Sequence, residues 1–440
     1  MFTYLNKIKK LVLLLIIPFT LVSCQKGNET TIINKNFITD TNKEDLDYPK
    51  KVLDSRDDFK YLIDYMAFYK IDKRIDILFS DNYLKDFYSP YQEMLEAYQS
   101  SDIGDNYGIQ ILYDNFEKTK TATIYLTGLN TKNDIISEID TTDIYKLYKE
   151  PIKNKINDVI YRPRNKKIKV TTSEQLFYAV QNRYDLELAN GSIAYQIYNT
   201  AKDILLNIIS QDDTTLQMIE KVYTYLVEEI HYDPVGYTSD YNNQRNQAYF
   251  LEGVFLNKQA VCDAKAKAYS LLLNLLNIEC YRLTGSSENG DHAWNVIKYQ
   301  DKYYLSDTTF GAPSKIMLDK DYSAIVPSLN MLLTSKKTPY ESFDFKTTKY
   351  VDIDNTLVNE IDVYKELGLI IKDIDELKNL TDKIMGKNIR FEFEYIGADS
   401  NFINYLKEEY NDSNIYLIKA KGNNIFEILF KEKLWQIMNY

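Results

Sequence analysis

Three residues in the second half of the 440-residue chain have the types and the order that nucleophilic acyl transfer needs: Cys262, His292 and Asp307. A cysteine thiolate can attack an amide carbonyl, and an imidazole can take up and return the proton. A carboxylate beside the imidazole can hold it in the required tautomer. These residue types therefore predict a cysteine–histidine–aspartate catalytic triad, provided that the surrounding elements bring the side chains together.

Cys262 is predicted to stand at the first turn of a helix. From this residue onward the sequence has helical periodicity, with an apolar stripe formed by Ala266, Tyr269, Leu272, Leu273 and Leu276. The backbone N–H groups and the dipole at the beginning of a helix favour a thiolate over a thiol. The position therefore suits a nucleophilic cysteine.

A predicted hairpin contains the other two residues. Residues 292–297 alternate between apolar and polar side chains, as a half-buried strand does. Gln300 and Asp301 form a predicted turn, and residues 302–307 form a second strand. Because the two strands of a hairpin run side by side, Asp307 is expected beside His292. A strand over 279–284 and a polar loop over 285–290 are predicted before the hairpin.

Residues 253–309 resemble the core of the transglutaminase-like superfamily. The agreement covers, in order, Gly253-Val254, Val261-Cys262, Ala266, Ile278-Glu279-Cys280, His292-Ala293-Trp294-Asn295, Tyr303-Tyr304, Asp307 and Thr309. The resemblance implies an α+β fold with a papain-related core, in which the cysteine-bearing helix packs on an antiparallel sheet. It also implies acyl transfer through a thioester, with Cys262 as nucleophile, His292 as general base and acid, and Asp307 as the orienting group.

The sequence departs from the family pattern at three places, none of which removes a catalytic group. Ala264-Lys265 stands where the family usually has Gly-Tyr, and Phe310 replaces a common Trp. Asp291 stands before His292, where Gly is usual. A carboxylate next to the imidazole is expected to raise the pKa of His292, which would favour a thiolate–imidazolium pair.

Other reactive or polar residues allow more than one interpretation. Cys280 lies in an apolar strand and is expected to be a core thiol. His231 follows a helix predicted over 216–229 and is interpreted as a capping residue, with a second active-site group as the alternative. Trp294 is expected either to pack around the site or to contact the substrate.

An oxyanion hole would need the backbone N–H of Cys262 and a second donor. Gln244, Gln247 and Asn257 are the candidates for that donor, and the sequence does not choose among them.

Residues 1–24 are predicted to be a lipoprotein signal peptide. Three lysines precede an apolar run over 11–22, which is shorter than the roughly 20 residues of a membrane-spanning helix. Leu21-Val22-Ser23-Cys24 resembles the bacterial lipobox, so Cys24 is the predicted site of lipid attachment. An uncleaved N-terminal anchor is the alternative. Both predict a protein held on the outer face of the cell membrane, behind a polar tether over 25–49.

The rest of the chain is predicted to form three parts. An N-terminal α+β module covers 50–165, the transglutaminase-like domain covers 166–338 with its core at 214–313, and a C-terminal α/β module covers 339–440. The first module is predicted to have a helix that begins after Ser55, further helices over 91–98 and 143–159, and strands over 74–79, 109–113 and 122–127. The last module is predicted to have helices over 374–385 and 401–410, and strands over 390–395, 415–420 and 425–430.

The composition is that of an ordinary globular protein with an acidic balance. The formal net charge is −11, and nucleic acid is not an expected partner, because phosphate binding needs clustered Lys and Arg. Two histidines and three cysteines are few ligands for a zinc site. No metal or organic cofactor is implied. The expected partners are a protein or peptide substrate and, through the N-terminal lipid, the membrane, while the oligomeric state is left open.

The sequence thus predicts an extracellular, lipid-anchored cysteine enzyme that cleaves, deamidates or cross-links amides of proteins or peptides. Hydrolysis and amine transfer share their first half-reaction, so both stay open. A surface binding or scaffold lipoprotein that keeps the fold without turnover is the alternative from another class. A substrate-binding lipoprotein of a transporter would fit the anchor but would not explain residues 253–309.

Overall fold

The computed structural model describes residues 52–72, 74–85, 90–113, 116–129, 154–233, 247–287, 290–311, 328–334, 361–384, 390–397, 415–419 and 424–430. These residues form helices and several small sheets, which confirms the predicted α+β class. The predicted signal peptide, Cys24 and the tether lie outside the described residues. Within the described ranges, none of the helices has the length and apolar character needed to cross a bilayer.

The bounds of the elements are as follows. The described helices are α1 (Arg56–Phe68), α2 (Asp81–Leu84), α3 (Pro90–Gln99), α4 (Phe116–Thr119), α5 (Ser173–Gln181), α6 (Ile193–Ile208), α7 (Thr215–Glu228), α8 (Leu251–Phe255), α9 (Cys262–Leu275), α10 (Val363–Glu366) and α11 (Ile374–Ile384). The described strands are β1 (Val52–Leu53), β2 (Ile75–Phe79), β3 (Gly108–Leu112), β4 (Thr121–Thr127), β5 (Asn165–Val170), β6 (Tyr184–Leu188), β7 (His231–Tyr232), β8 (Gln259–Ala260), β9 (Cys280–Ser287), β10 (Gly290–Tyr299), β11 (Lys302–Ser306), β12 (Ile370–Ile371), β13 (Arg390–Tyr395), β14 (Ile415–Lys419) and β15 (Ile425–Phe430).

The chain divides into two compact units, and the described part of the first covers residues 52–129. Its sheet has the order β1-β2-β4-β3, and β1 is parallel to β2. Helix α1 begins after Ser55 as predicted, because the Ser55 side chain accepts a hydrogen bond from the N–H of Asp58. The strands and helices predicted here agree with the structure within one or two residues at their ends.

The second unit contains the cysteine-bearing helix α9, which packs against β9 and β10 of a three-stranded antiparallel sheet. The sheet has the order β11-β10-β9. The β10–β11 turn is formed by Gln300 and Asp301 as predicted, and both have a positive φ, of 49° and 58°. Two such residues match the right-handed twist of the flanking strands. The predicted helix-on-antiparallel-sheet core is confirmed.

Two details of the second unit differ from prediction. The predicted loop over 285–290 is shorter, because β9 continues to Ser287 and Gly285 pairs with His292 across the sheet. The helix predicted over 143–159 is not observed over 154–159, where the chain forms a bridge between Lys155 and Ser210. Residues 143–153 lie outside the described ranges. The predicted domain boundaries stay predictions.

A second sheet lies in the C-terminal part of this unit, with the order β12-β13-β15-β14. Strands β13 and β15 have the predicted bounds, and β14 and α11 agree with prediction up to Lys419 and Ile384, where the described residues end. Phe393 and Phe426 stack across the β13–β15 pair and are buried. The helix predicted over 401–410 lies outside the described residues.

Candidate active site

Cys262 is the first residue of α9, as the sequence predicted. The preceding residue, Val261, is the N-cap, and its N–H donates to the carbonyl of Ala248. The helix dipole and free N–H groups at this end therefore act on the Cys262 sulfur. Cys262 is 6% exposed and packs with Ala266 and Ala293, so the thiol lies between the helix and strand β10.

His292 lies on β10, and its Nε2 is 2.7 Å from Oδ2 of Asp307. Both side chains are buried, His292 at 7% exposure and Asp307 at 5%. Because Nε2 is engaged by the carboxylate, Nδ1 is the ring nitrogen that remains for Cys262. The predicted hairpin thus brings His292 and Asp307 together.

Asp307 follows directly after β11, and its carboxylate is held on both sides. Oδ1 accepts hydrogen bonds from the N–H groups of Thr309 at 2.8 Å and Phe310 at 2.9 Å. The Asp307 N–H donates to the carbonyl of Met331 at 2.9 Å. Oδ2 is therefore presented to His292 by a carboxylate that cannot easily rotate.

The environment of His292 favours its protonated form. Burial alone would lower the pKa of His292, but the charge of Asp307 and hydrogen bonds with Asp307 and Cys262 raise it to about 10. The prediction that Asp291 would raise this pKa is wrong in its cause. Successive side chains of a strand point to opposite faces, and Asp291 is exposed while His292 is buried.

Two aromatic rings lie against the imidazole. Trp294 stacks on His292 with ring centroids 5.8 Å apart, and the ring of Phe310 is 4.5 Å from that of His292. Trp294 is itself buried, in a cluster with Leu283, Val296 and Leu305. This packing is the first of the two interpretations of Trp294, and a contact with substrate stays a prediction.

Asn295 joins the sheet to the cysteine-bearing helix, a role that the sequence reasoning missed. Its Nδ2 donates to the carbonyl of Ala266 on α9 at 2.8 Å. Asn295 is fully buried on β10, between His292 and the turn. Its amide thereby fixes the distance between the helix that carries Cys262 and the strand that carries His292.

A buried ionic network holds the residue after the nucleophile. The Asp263 carboxylate accepts hydrogen bonds from Arg282 on β9 and from Lys267 one turn along α9. Burial opposes ionisation of Asp263, but the two cations lower its pKa. Lys267 also donates to the carbonyl of Tyr249 at 3.0 Å. The network ties the beginning of α9 to the sheet and to the segment before α8.

Lys265 is also missing from the predicted site. Its side chain is 0% exposed, and its Nζ donates to the carbonyl of Ile230 at 3.2 Å. Burial lowers the pKa of Lys265 to about 7, although the charges of Asp307 and Cys262 raise it. The predicted apolar stripe of α9 is buried, but so is every other face of the helix, including its charged residues.

The remaining predicted residues have these positions. Cys280 is fully buried, as expected, and burial raises the pKa of its thiol. His231 lies on β7, beyond the C-cap Glu229, rather than at the helix end.

Of the oxyanion candidates, Asn257 donates its amide to Oε1 of Gln247 at 2.8 Å, while Gln244 lies outside the described residues. Across the described ranges, no three or more His, Cys, Asp or Glu side chains are grouped as metal ligands.

Comparison with known proteins gives one family match. Residues 202–308, under a quarter of the chain, match the model of the transglutaminase-like superfamily, and this range includes Cys262, His292 and Asp307. The human kyphoscoliosis peptidase is 20% identical over 122 residues. That alignment covers 25% of this chain and only 18% of the human protein.

Two solved structures are also similar to this chain. One is a crystal structure of a transglutaminase, with 13% identity, a TM-score of 0.22, and coverage of 54% of this chain and 50% of the other. The second is a putative cysteine protease from Cytophaga hutchinsonii, with 12% identity, a TM-score of 0.20, and coverage of 46% and 62%.

Proposed function

We propose that this chain, which carries a transglutaminase-like domain over residues 202–308, is a cysteine acyl-transfer enzyme that acts on amides of proteins or peptides. One observation carries the proposal. The buried imidazole of His292 is bonded through Nε2 to Asp307, and its remaining nitrogen is directed to a cysteine at a helix N-terminus.

The reaction begins from a thiolate–imidazolium pair. The Cys262 thiolate adds to the carbonyl carbon, the amide C–N bond breaks, and the proton of His292 leaves with the amine. Water or a second amine then attacks the thioester and gives its proton back to His292. Breaking of the C–S bond returns the thiolate and completes the cycle. Asp307 takes up no proton in these steps, and its role is to orient and stabilise the imidazolium.

The proposal includes the location that the sequence predicted. A lipid on Cys24 would hold the enzyme on the outer face of the cell membrane, where its substrates would be proteins or peptides of that surface. Support for this part comes from the sequence of residues 1–24 alone.

Trapping the acyl-enzyme tests the proposal. The wild-type protein, Cys262→Ala and Cys280→Ala are incubated with a panel of glutamine-containing peptides, quenched in acid and digested for mass spectrometry. We expect an adduct on the peptide that contains Cys262, sensitive to hydroxylamine, in the wild type and in Cys280→Ala. Cys262→Ala should give none. The Cys280 variant is the matched control because that thiol is fully buried and is not one of the three candidate catalytic residues.

The same experiment separates the two chemistries and the rival function. With added primary alkylamine, attack of the amine on the thioester should give an alkylamide in place of the acid if the enzyme transfers acyl groups to amines. The acid should remain the product if the enzyme hydrolyses. A Cys262 that forms no adduct with any peptide, and that iodoacetamide alkylates no faster than a free cysteine, contradicts the proposal. That result favours a binding or scaffold protein that keeps the fold without turnover.

A further inference from the structure

Lys265 is a buried cation whose place in the molecule is not explained by packing. It lies one turn after Cys262 on α9, with a side chain that is 0% exposed. Enclosing an ammonium group away from water costs several kcal/mol unless nearby charges compensate it. Its hydrogen-bond partner, the carbonyl of Ile230, carries no net charge. A neutral side chain of the same length would fill the volume without that cost.

The compensating charges belong to the candidate active site. The two groups that favour the ammonium form of Lys265 are Asp307 and Cys262. Lys265 also acts on His231 of β7. Burial lowers the pKa of His231 to about 4, and the charges of Lys265 and Lys258 add to that effect. The charge of Lys265 therefore acts both on the site's anions and on a neutral imidazole.

Ionisable groups on the other elements that pack against α9 have partners elsewhere. Such groups include Tyr223 with the Asp307 carbonyl, Glu252 with Ser173, Arg282 with Asp263 and Cys280 with Asn295. On α9 itself, Lys267 is bonded to Asp263 and to the carbonyl of Tyr249. The charge of Lys265 is thus directed mainly at Cys262 and Asp307.

We infer that Lys265 is a positioning residue of the proposed reaction, whose buried ammonium group stabilises the Cys262 thiolate and makes the reactivity of that thiolate depend on the protonation of Lys265. The inference rests on the proposed function, because it assigns Lys265 a task within that site. Lys265 touches neither substrate nor the bond that breaks, and it acts through the charge of Cys262.

The charge count over the proposed cycle explains why a fourth ionisable group, Lys265, is useful in the site. In the resting site the thiolate and the Asp307 carboxylate give two negative charges, and the imidazolium gives one positive charge. The Lys265 ammonium group makes this set neutral. In the acyl-enzyme the thioester and the imidazole are neutral, and the ammonium group balances Asp307 alone. With Lys265 protonated, the enclosed site therefore keeps zero net charge in both states.

Site-resolved alkylation measures the reactivity of the Cys262 thiolate without a substrate. The rate constant for iodoacetamide on Cys262 is determined from pH 5 to pH 9 for the wild type, Lys265→Met and Lys258→Met. The wild type should show an inflection near pH 7, where Lys265 loses its proton. Lys265→Met should lack this inflection and react more slowly than the wild type below pH 7, because the charge that stabilises the thiolate is absent. Lys258→Met is the matched control, since Lys258 is partly exposed and paired with Glu229.

A folded Lys265→Met protein with the wild-type rate and the wild-type inflection overturns the inference. If Cys262 is nevertheless alkylated rapidly in both proteins, the result would still support the proposed function. Slow alkylation of the wild type at every pH is a different result, because it contradicts the proposed function itself.

A second measurement keeps the inference testable if Lys265→Met does not fold. In wild-type protein labelled with 13C at the lysine Cε, a lysine resonance should titrate near neutral pH. Alkylating Cys262 removes the thiolate charge that favours the ammonium form, so the titration midpoint should move to lower pH. A midpoint that alkylation leaves unchanged overturns the inference.

Discussion

The imidazole of His292 depends on Asp307 for both its orientation and its charge. The bond from Nε2 to Oδ2 fixes the ring, and the carboxylate supplies the largest effect that opposes burial. Without that carboxylate the buried ring would favour its neutral form, and the thiolate would lose its counter-ion.

Asp307→Asn should therefore lower the pKa of His292 from about 10 and reduce turnover on the order of 10⁴-fold. The chain has two histidines, so the Cε1 protons can be followed by NMR while turnover is measured on the same sample. Asp301→Asn is the control, because that carboxylate lies exposed at the β10–β11 turn. An Asp307→Asn protein whose His292 still titrates near pH 10 would contradict this account of the dyad.

The sequence predicted single residues well where a residue type is rare and its chemistry is specific. Cys262, His292 and Asp307 were singled out for this reason. The structure places His292 and Asp307 in contact, and the catalytic roles of the three residues stay a prediction. Lys265, Asp263 and Lys267 were missed, because charged residues on a helix are ordinarily read as its solvent face. Only the burial of α9 on every face reveals that these charges have partners inside the protein.

The segment before α9 is held by a close approach of backbone at Gly253. A Cβ atom there would lie 2.6 Å from the Gln259 carbonyl oxygen and 2.7 Å from that of Gln247. These atoms belong to the main chain of β8 and of the short 3₁₀ helix Gln247–Tyr249. Gly253, one of the residues of the family pattern, is thus required because no other residue leaves room for that contact.

Gly253→Ala should lower the free energy of unfolding by about 1–3 kcal/mol, because backbone atoms cannot move aside without shifting their elements. Urea unfolding measures this loss. Alkylation of Cys262 should slow in the same variant, since Val261 is hydrogen-bonded to Ala248 in the displaced segment. Leu256→Ala, on a largely exposed residue just after α8, should change stability by less than about 0.5 kcal/mol. Equal stability of the Gly253→Ala protein and the wild type would refute this reading of the glycine.

Elements were predicted most accurately where periodicity and turn chemistry agreed. Helix α9 and the hairpin β10–β11 have this property, and both were found. The length of β9 was underestimated because its polar end, including Gly285, has the composition of a loop. That end is ordered by pairing with β10, a tertiary contact that local sequence does not encode.

The stability of the whole protein should depend on pH through two buried groups that act in opposite directions. The pKa of His292 is raised to about 10 from an ordinary 6.5, so its contribution to stability is complete below pH 6.5 and is lost as the pH rises through 10. The pKa of Lys265 is lowered to about 7 from 10.5. The loss of stability caused by burying the Lys265 ammonium group is therefore complete below pH 7, and it disappears as the pH rises to 10.5.

Between pH 7 and pH 9, His292 makes the free energy of unfolding fall with pH and Lys265 makes it rise. The two slopes should nearly cancel in the wild type. Lys265→Met removes one of them, so its free energy of unfolding, relative to that of the wild type, should fall by about 1.4 kcal/mol for each pH unit. Urea unfolding of both proteins at pH 7, 8 and 9 measures this difference, in which the other ionisable groups cancel. A difference that stays constant over this range would mean that Lys265 does not titrate as described.

At the scale of the whole molecule, the sequence predicted the α+β class and the family of one domain. The match of residues 202–308 to the transglutaminase-like model confirms the family of that domain. The division of the remaining chain could not be derived in the same way, because the flanking modules contain ordinary helices and strands without a chemistry-bearing pattern. The lipid anchor on Cys24 stays a prediction, since it depends on a short peptide motif that is recognised by other proteins rather than on a fold.

The carboxylate of Asp307 is fully engaged before any substrate arrives. Two backbone N–H groups hold Oδ1, and the imidazole holds Oδ2. The dipoles that stabilise a positive ring are thus already oriented in the free protein, which keeps the reorganisation energy of proton transfer small. For the proposed reaction, any slow conformational step is expected where the acyl donor is admitted or the product departs, and not at this end of the dyad.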